Sequence, residues 1–286
     1  MTGPSDLPAT TRGARTEPAV VVEPEVRWRV AGGVAAIELN RPARGNALSA
    51  TLVEGLLAAL GGATSDPSVH TVLFAAAGRH FCTGFDLDGV DAASDADLLA
   101  RFVRIETLLD AVWRAPVRTA AIATGRCWGA GADLFAACDL RIALEGASFR
   151  FPGAAFGLVL GTRRLAERVG TERAREWIAS GAELDAAAAA AAGLASRIAA
   201  PADGPRAEAR DLWPWRLELL GGAPAIDRDT LAAIRAASRF AGGPGADALA
   251  DADLAALVRS AARPGLRARL LAYRERTRAA ADARTR

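Results

Sequence analysis

The chain has 286 residues, a hydrophobic content of 51% and a formal net charge of +2. This length is enough to bury a substantial core and fits one large domain with an appendage. The small net charge gives no general attraction to nucleic acid or to an acidic membrane surface, and no uninterrupted apolar run reaches membrane length. We therefore expect a globular protein with neither nucleic acid nor membrane as a partner.

The cysteines and histidines show no pattern of disulfides or metal ligands. The three cysteines lack CxxC spacing, and the two histidines have no matching carboxylate and cysteine spacing. An odd number of scattered thiols is typical of a reducing compartment, and a structural zinc site needs four closely spaced ligands. These features predict a cytoplasmic protein without a metal site.

The first third of the chain predicts a leader followed by short strands and a helix. Residues 1–23 are rich in Pro, Thr, Gly and Arg without any period, so we interpret them as a disordered leader. The runs Val26–Val30 and Val34–Leu39 predict a hairpin, because a Gly-Gly pair separates them. Ser49 is the candidate cap of a helix, and the buried run Thr71–Ala75 predicts the next strand.

The alternation of strand and helix then continues. An amphipathic pattern predicts a helix over Asp97–Trp113, followed by a strand over Arg118–Ala123. A helix over Ala132–Ala137 and a strand over Leu140–Leu144 come next, and the chain from Leu165 onward is mostly helical in pattern. Strands and helices that alternate across short turns indicate an α/β fold.

Two glycine-rich junctions carry the strongest chemical signal. The segments Gly78–Leu87 (GRHFCTGFDL) and Gly125–Asp139 (GRCWGAGADLFAACD) each place small residues between a strand and a helix. Backbone N–H groups at such junctions can face a ligand, since no bulky side chain intervenes and helix-start amides lack internal partners. If the junctions face one another, they form a two-donor hole for an oxyanion. This chemistry suits an enolate or a tetrahedral intermediate and indicates a thioester substrate.

The junctions belong to a series of motifs over about residues 26–198. In chain order these are LNRPARGNALS, GRHFCTGFDL, GRCWGAGADLFAACDLRIA, FGLVLGTRRL and an Ala-rich helix that closes in Gly-Leu. Together they resemble the crotonase, or enoyl-CoA hydratase/isomerase, superfamily. The resemblance implies an α/β fold built as a crotonase-like spiral of ββα units over residues 24–200. It also implies a C-terminal helical region, 201–286, that makes the contacts of a homotrimer or hexamer.

The same resemblance implies an acyl-CoA substrate, a place in fatty acid metabolism, and no cofactor beyond the coenzyme A of the substrate. Carried over residue by residue, the oxyanion donors are the backbone N–H groups of Thr83 and Ala130, and Asp133 is the catalytic carboxylate. The substrate-binding positions implied are Arg44, as a phosphate partner, and Ala47, Leu48, Cys82, Gly84, Phe85, Asp86, Gly129, Gly131 and Gly153.

The sequence departs from the family pattern at the second catalytic carboxylate. Hydratases of the family use two glutamates, because one group activates water and another protonates the α-carbon. Here the first position is Asp133 and the second is Gly153. A carboxylate from another helix, such as Glu106 or Asp110, would restore a two-acid site. Asp133 also has a purely structural interpretation, since an acidic residue in the first turn offsets the helix dipole.

Three functions therefore stay open from the sequence. The leading hypothesis is an enzyme of the hydratase/isomerase type, in which Asp133 moves a proton at the α- or γ-carbon of an enolate held between two amides. The second is a decarboxylase or thioesterase on the same scaffold, because Gly153 makes room for a larger or charged acyl group. The third is a CoA-binding or assembly subunit that has lost catalysis.

Overall fold

The computed structural model describes residues 24–202, 213–238 and 246–285. Its strands are β1 Val26–Ala31, β2 Val34–Leu39, β3 Thr71–Ala76, β4 Arg118–Ala123, β5 Arg126–Trp128, β6 Leu140–Leu144, β7 Ser148–Arg150, β8 Leu184–Asp185 and β9 Arg197–Ala199. Its helices are α1 Ala50–Ser65, α2 Asp95–Arg114, α3 Ala130–Ala137, α4 Thr162–Val169, α5 Thr171–Ser180, α6 Ala186–Ala191, α7 Trp213–Glu218, α8 Arg228–Ser238, α9 Ala246–Ala261 and α10 Leu266–Thr285. Two 3-10 helices span Pro42–Arg44 and Pro152–Phe156.

Two sheets organise the described chain. The larger has six strands in the order β1-β2-β3-β4-β6-β9, and the smaller has three in the order β5-β7-β8. Strands β1 and β2 form the expected antiparallel hairpin, whereas the other neighbours in the larger sheet are parallel. Parallel neighbours need crossover connections, and helices supply them. The α/β class predicted from the sequence is confirmed.

The inner strands of the larger sheet, β2, β3, β4 and β6, are buried on both faces, whereas the edge strand β1 is exposed. Side chains alternate along β2, so that Ile37 and Leu39 belong to the main core while Val34 and Ala36 belong to a second cluster. Trp215 of α7 is part of that second cluster. Strands covered on both sides have nearly continuous apolar sequences, and the run Thr71–Ala75 is an example.

Helix boundaries follow their caps. The Ser49 hydroxyl accepts a hydrogen bond from the N–H of Leu52 at 2.9 Å, as expected for the start of α1. Helix α2 begins at Asp95, two residues earlier than predicted, because Ser94 and Asp97 form a capping box. Within the described ranges, no helix combines the length and apolar character that crossing a membrane requires. The predicted leader, residues 1–23, lies outside the described residues.

Candidate active site

The two glycine junctions lie side by side. The N–H of Cys82 donates to the carbonyl of Arg126 at 3.2 Å, and the N–H of Trp128 donates to the carbonyl of Cys82 at 2.9 Å. These bonds form a parallel bridge between Cys82 and Cys127. The expectation that the junctions face one another is therefore confirmed, and the backbone just beyond the bridge forms the centre of the site.

Glycine is needed where the two junctions touch. Gly84 has a φ of +98°, and a Cβ there would lie 3.0 Å from the carbonyl oxygen of Trp128 and 3.6 Å from the nitrogen of Ala130. A Cβ on Gly131 would lie 2.6 Å from both the Cβ and the carbonyl oxygen of Cys82. Side chains at these positions would push the junctions apart, so the small residues set the width of the site.

The close contact between Gly131 and Cys82 predicts that one added methyl group at Gly131 destabilises the protein. We expect Gly131→Ala to lower the free energy of unfolding by about 1–3 kcal/mol, because the buried Cys82 backbone cannot move away freely. Gly61→Ala is the matched control, since a Cβ there meets nothing within 4 Å on the exposed face of α1. Urea unfolding measures both; equal stability of the two variants would contradict the packing argument.

The first oxyanion donor is not where the resemblance placed it. The N–H of Thr83 donates to the carbonyl oxygen of Gly45 at 3.0 Å, so its hydrogen is already used. The geometry contradicts the assignment of a donor to Thr83, although the Thr83 side chain does line the pocket. Motif matching located the loop correctly and missed the residue, because the hydrogen bond that occupies Thr83 comes from a distant part of the chain.

The free amide of this loop belongs to Phe85. Leu48 forms hydrogen bonds with the two residues that flank Phe85. The N–H of Leu48 donates to the carbonyl of Gly84 at 2.8 Å, and the N–H of Asp86 donates to the carbonyl of Leu48 at 3.2 Å. In a parallel bridge the central residue turns its own N–H to the opposite side. The N–H of Phe85 thus points away from Leu48 and has no partner among the residues that the structure describes.

The second free amide is that of Ala130, as predicted. Ala130 is the first residue of α3, and the first N–H groups of a helix have no internal partner. Gly129, the residue before it, adopts φ 54° and ψ −131°, which turns the chain into the helix. Ala130 is not among the described residues with positive φ, so alanine fits there without backbone strain. The Ala130 amide lines the same pocket as Phe85.

Asp133 is a buried carboxylate on α3. Its side chain is 6% exposed, and no described residue donates a hydrogen bond to it. Burial raises the pKa of Asp133 well above its ordinary value, a shift that the Arg164 guanidinium opposes and the Glu106 carboxyl reinforces. A Cβ on Gly161 would overlap the Asp133 carboxylate, so the chain needs glycine at that position. A helix-dipole role alone does not explain an unpartnered carboxylate that faces a pocket.

The pocket around these groups is mainly apolar and partly open to solvent. Its apolar wall comprises Phe85, Leu87, Phe102, Phe151, Phe156, Leu158, Leu160 and Ile178. The polar side chains that line it are those of Thr83, Asp133, Thr162 and Tyr273, and no arginine, lysine or histidine of the described chain is part of the lining. Such a pocket suits an uncharged, hydrophobic acyl group.

Seven of the residues predicted for the site line this pocket: Thr83, Gly84, Phe85, Gly129, Ala130, Asp133 and Gly153. Others support it from outside. Gly131 sets the packing distance, and the Asp86 carboxylate accepts a hydrogen bond from Arg41 at 2.9 Å. Thr162 and Tyr273 were not predicted. Thr162 lies in the FGLVLGTRRL motif, but the resemblance assigned no role to that position, and Tyr273 lies outside all of the motifs.

The remaining predicted residues are not at the pocket surface. Ala47 and Leu48 are buried in the core, where Leu48 fixes the Phe85 loop. Cys82 is fully buried, and burial raises the pKa of its thiol to about 12, which excludes a thiolate nucleophile near neutral pH. Arg44 forms an ion pair with Asp88 and is half-exposed, so it stays a candidate phosphate partner only.

No second carboxylate reaches the pocket from α2. Neither Glu106 nor Asp110 lines it, so the hypothesis that one of them restores a two-acid site is wrong. Glu106 instead binds Arg164, whose Nη2 lies 2.5 Å from its Oε1 and whose Nη1 lies 3.3 Å from its Oε2. Arg164 is completely buried. This buried ion pair is close enough to Asp133 to influence the pKa of its carboxyl.

Removing the arginine of this pair leaves a buried carboxylate behind. We expect Arg164→Met to lower the free energy of unfolding by about 3–5 kcal/mol, whereas the double variant with Glu106→Leu recovers most of the loss. The control is Arg104→Met, because the Arg104–Glu54 pair is half-exposed and such pairs contribute about 1 kcal/mol or less. Denaturant titration measures the free energy of unfolding of all three variants. If the double variant is as unstable as Arg164→Met, Arg164 stabilises the protein through packing instead.

The fold and the site define a class of protein. Two free backbone amides and one carboxylate meet in an apolar pocket on an α/β scaffold, which is the arrangement of an enzyme that stabilises an oxyanion. Within the described chain, no group of three or more histidine, cysteine or acidic side chains is placed to hold a metal ion.

Known proteins with similar sequences and folds agree on the family. The family profile for enoyl-CoA hydratase/isomerase matches residues 29–214. A Mycobacterium leprae protein named probable enoyl-CoA hydratase is 38% identical over 200 residues, which are 68% of this chain and 76% of that protein. A Mycobacterium tuberculosis protein that is also named probable enoyl-CoA hydratase is 34% identical over 225 residues, which are 78% of this chain and 84% of that protein.

A solved structure extends the likeness to three dimensions. The Bordetella parapertussis protein solved under the name of an enoyl-CoA hydratase/isomerase has a TM-score of 0.77 and 39% identity, covering 88% of this chain and 98% of its own. The chain belongs to the enoyl-CoA hydratase/isomerase family, and it is an enzyme that acts on acyl-CoA thioesters.

Proposed function

We propose that this enzyme moves a proton at the α-carbon of an enoyl-CoA thioester and so shifts the position of its double bond. The observation that carries the proposal is the single unpartnered carboxylate, Asp133, in the pocket that also holds the free amides of Phe85 and Ala130. A double-bond shift needs one group that takes a proton from one carbon and returns it to another. The site supplies one such group.

The steps follow from the placement of these groups. The thioester oxygen accepts hydrogen bonds from the amides of Phe85 and Ala130. Ionised Asp133 takes a proton from C2, and the electron pair of that C–H bond moves into the enolate held by the amides. The protonated carboxyl then returns the proton to C4 as the double bond moves to C2=C3. No atom is gained or lost, so the product is an isomer of the substrate.

The pocket argues against a charged acyl group. A malonyl-type ester carries a carboxylate, and the described pocket lining offers no cationic side chain to bind it. The lack of a cationic side chain in the described lining argues against the decarboxylase hypothesis, which was based on the space at Gly153. Hydrolysis and binding without turnover are alternatives that the same assay separates.

The proposal is tested with a medium-chain 3-enoyl-CoA in deuterated water, with the products separated by chromatography and their deuterium content measured by mass spectrometry. We expect conversion to 2-enoyl-CoA in which C4 carries mainly the proton taken from C2, because Asp133 returns that proton directly. Free CoA as the main product would indicate a thioesterase. Binding without any product would indicate the non-catalytic subunit, and either result would overturn the proposal.

The raised pKa of Asp133 sets the expected pH dependence. Asp133 must be ionised to take a proton, and burial raises its pKa above the ordinary carboxyl range. We therefore expect kcat/KM of the double-bond shift to be low in acid and to rise with pH through a pKa higher than that of a free aspartate. A profile already flat at the ordinary aspartate pKa would contradict Asp133 as the base.

We also propose that the enzyme assembles as a homotrimer or hexamer. The proposal rests on the family to which the chain belongs, and sedimentation velocity tests it. A monomer at micromolar concentration would contradict it.

A further inference from the structure

Among the residues that the structure describes, one ionisable side chain besides Asp133 lines the pocket, and it comes from the C-terminal part of the chain. Tyr273 lies on α10 and is the single tyrosine of the sequence. Its ring packs on that of Phe156, with centroids 5.0 Å apart at an angle of 58°. Phe156 belongs to the 3-10 helix that also contains Gly153. Tyr273 thus lines the pocket beside the turn that carries glycine in place of the family's second carboxylate.

The space at Gly153 is open. A Cβ there would meet only the carbonyl oxygen of Leu158, at 3.6 Å, and Gly153 is not among the described residues with positive φ. Neither crowding nor backbone conformation requires glycine at this position. The missing side chain leaves room in the pocket for a water molecule or for part of the acyl group.

Hydrogen bonds and an ion pair fix helix α10 to the residues around the start of α2. The Asp95 carboxylate accepts hydrogen bonds at 3.1, 3.1 and 2.8 Å from the N–H groups of Gly265, Leu266 and Arg267. One residue beyond Tyr273, Arg274 forms a bidentate ion pair with Asp91, at 2.6 and 2.7 Å. These contacts tie α10 to the segment at the start of α2, so Tyr273 belongs to a built wall of the pocket.

The hydroxyl of Tyr273 is available to a ligand. No described residue forms a hydrogen bond with it, although the side chain is half-buried and a buried tyrosine hydroxyl usually has a partner. Burial raises the pKa of Tyr273, against a smaller opposite effect of Arg150 and Arg276. The hydroxyl therefore keeps its proton at neutral pH and acts as a hydrogen-bond donor.

We propose that Tyr273 supplies the second polar group for addition of water to a 2-enoyl-CoA, in place of the side chain that Gly153 lacks. This inference rests on the proposed role of Asp133. The Tyr273 hydroxyl donates a hydrogen bond to a water oxygen beside C3. That oxygen forms a bond to C3 while Asp133 takes one proton from the water and delivers it to C2. One water is consumed, and the product is a 3-hydroxyacyl-CoA.

The two reactions separate the role of Tyr273 from that of Asp133. A double-bond shift needs no water, whereas hydration needs a water held at C3. We expect Tyr273→Phe to lower the ratio of the hydration rate of 2-enoyl-CoA to the shift rate of 3-enoyl-CoA about tenfold, the value of one hydrogen bond in the upper part of its usual range. Tyr273→Leu, which also loses the ring packing on Phe156, shows the effect of structural damage and should lower both rates.

The outcomes are distinct. A fall of about tenfold in the ratio of the hydration rate to the shift rate in Tyr273→Phe supports the inference. Equal loss of both reactions in that variant, an unchanged hydration rate, or absence of hydration in the wild type overturns it. In the last case the double-bond shift still tests the proposed function separately, because that reaction needs no water and its proton is moved by Asp133.

Discussion

The Asp133→Asn variant is expected to lose about 10²–10⁴-fold in kcat for the double-bond shift while it keeps its fold. An amide has nearly the shape of the carboxylate but cannot take the C2 proton. Binding of the substrate should change little, because the thioester oxygen is held by the amides of Phe85 and Ala130 and the acyl group by apolar side chains. Steady-state kinetics with 3-enoyl-CoA measures the loss, and KM is expected to stay within a few-fold.

The stability of this variant provides an independent check. Burial raises the pKa of Asp133 in the folded state, so the ionised carboxylate opposes folding as the pH rises. Asn removes that charge, and Asp133→Asn should be at least as stable as the wild type, with the largest gain at alkaline pH. Glu167→Gln is the control, because Glu167 pairs with Arg163 outside the pocket. Equal activity of wild type and Asp133→Asn would remove Asp133 from the mechanism.

The Ala130→Pro variant is expected to lose about 10²–10³-fold in kcat by deleting one oxyanion donor. Proline has no N–H, and its ring would occupy the space where the oxyanion lies. The substitution suits this position, because Ala130 is the first residue of α3 and proline is well tolerated there. The backbone donor can therefore be removed without breaking a helical hydrogen bond.

Ala130→Gly is the matched control for this experiment. Glycine keeps the N–H, so its activity should stay within a few-fold of the wild type. Circular dichroism and thermal unfolding establish that both variants fold. Activity of Ala130→Pro equal to that of Ala130→Gly would show that the amide of Ala130 is not a donor, and the oxyanion hole would have to be reassigned.

The fold class and the location of the site could be predicted from local sequence. Alternating apolar runs, the Ser49 cap and the two glycine junctions are short-range signals, and each depends on residues that are neighbours in the chain. For the same reason the sequence could place Ala130 and Asp133 in one pocket: they occupy the first turn of one helix, where spacing along the chain fixes spacing in space.

The working groups that depend on distant parts of the chain could not be found in this way. Whether the amide of Thr83 or of Phe85 is free depends on Gly45 and Leu48, which the fold brings against that loop. Tyr273 reaches the pocket because α10 packs on the turn that contains Phe156, more than one hundred positions earlier. The sequence alone determined which loops carry the chemistry, since turns and helix starts are local. Only the tertiary structure decided which amides are free and which side chains face them, because those contacts join residues that no local pattern connects.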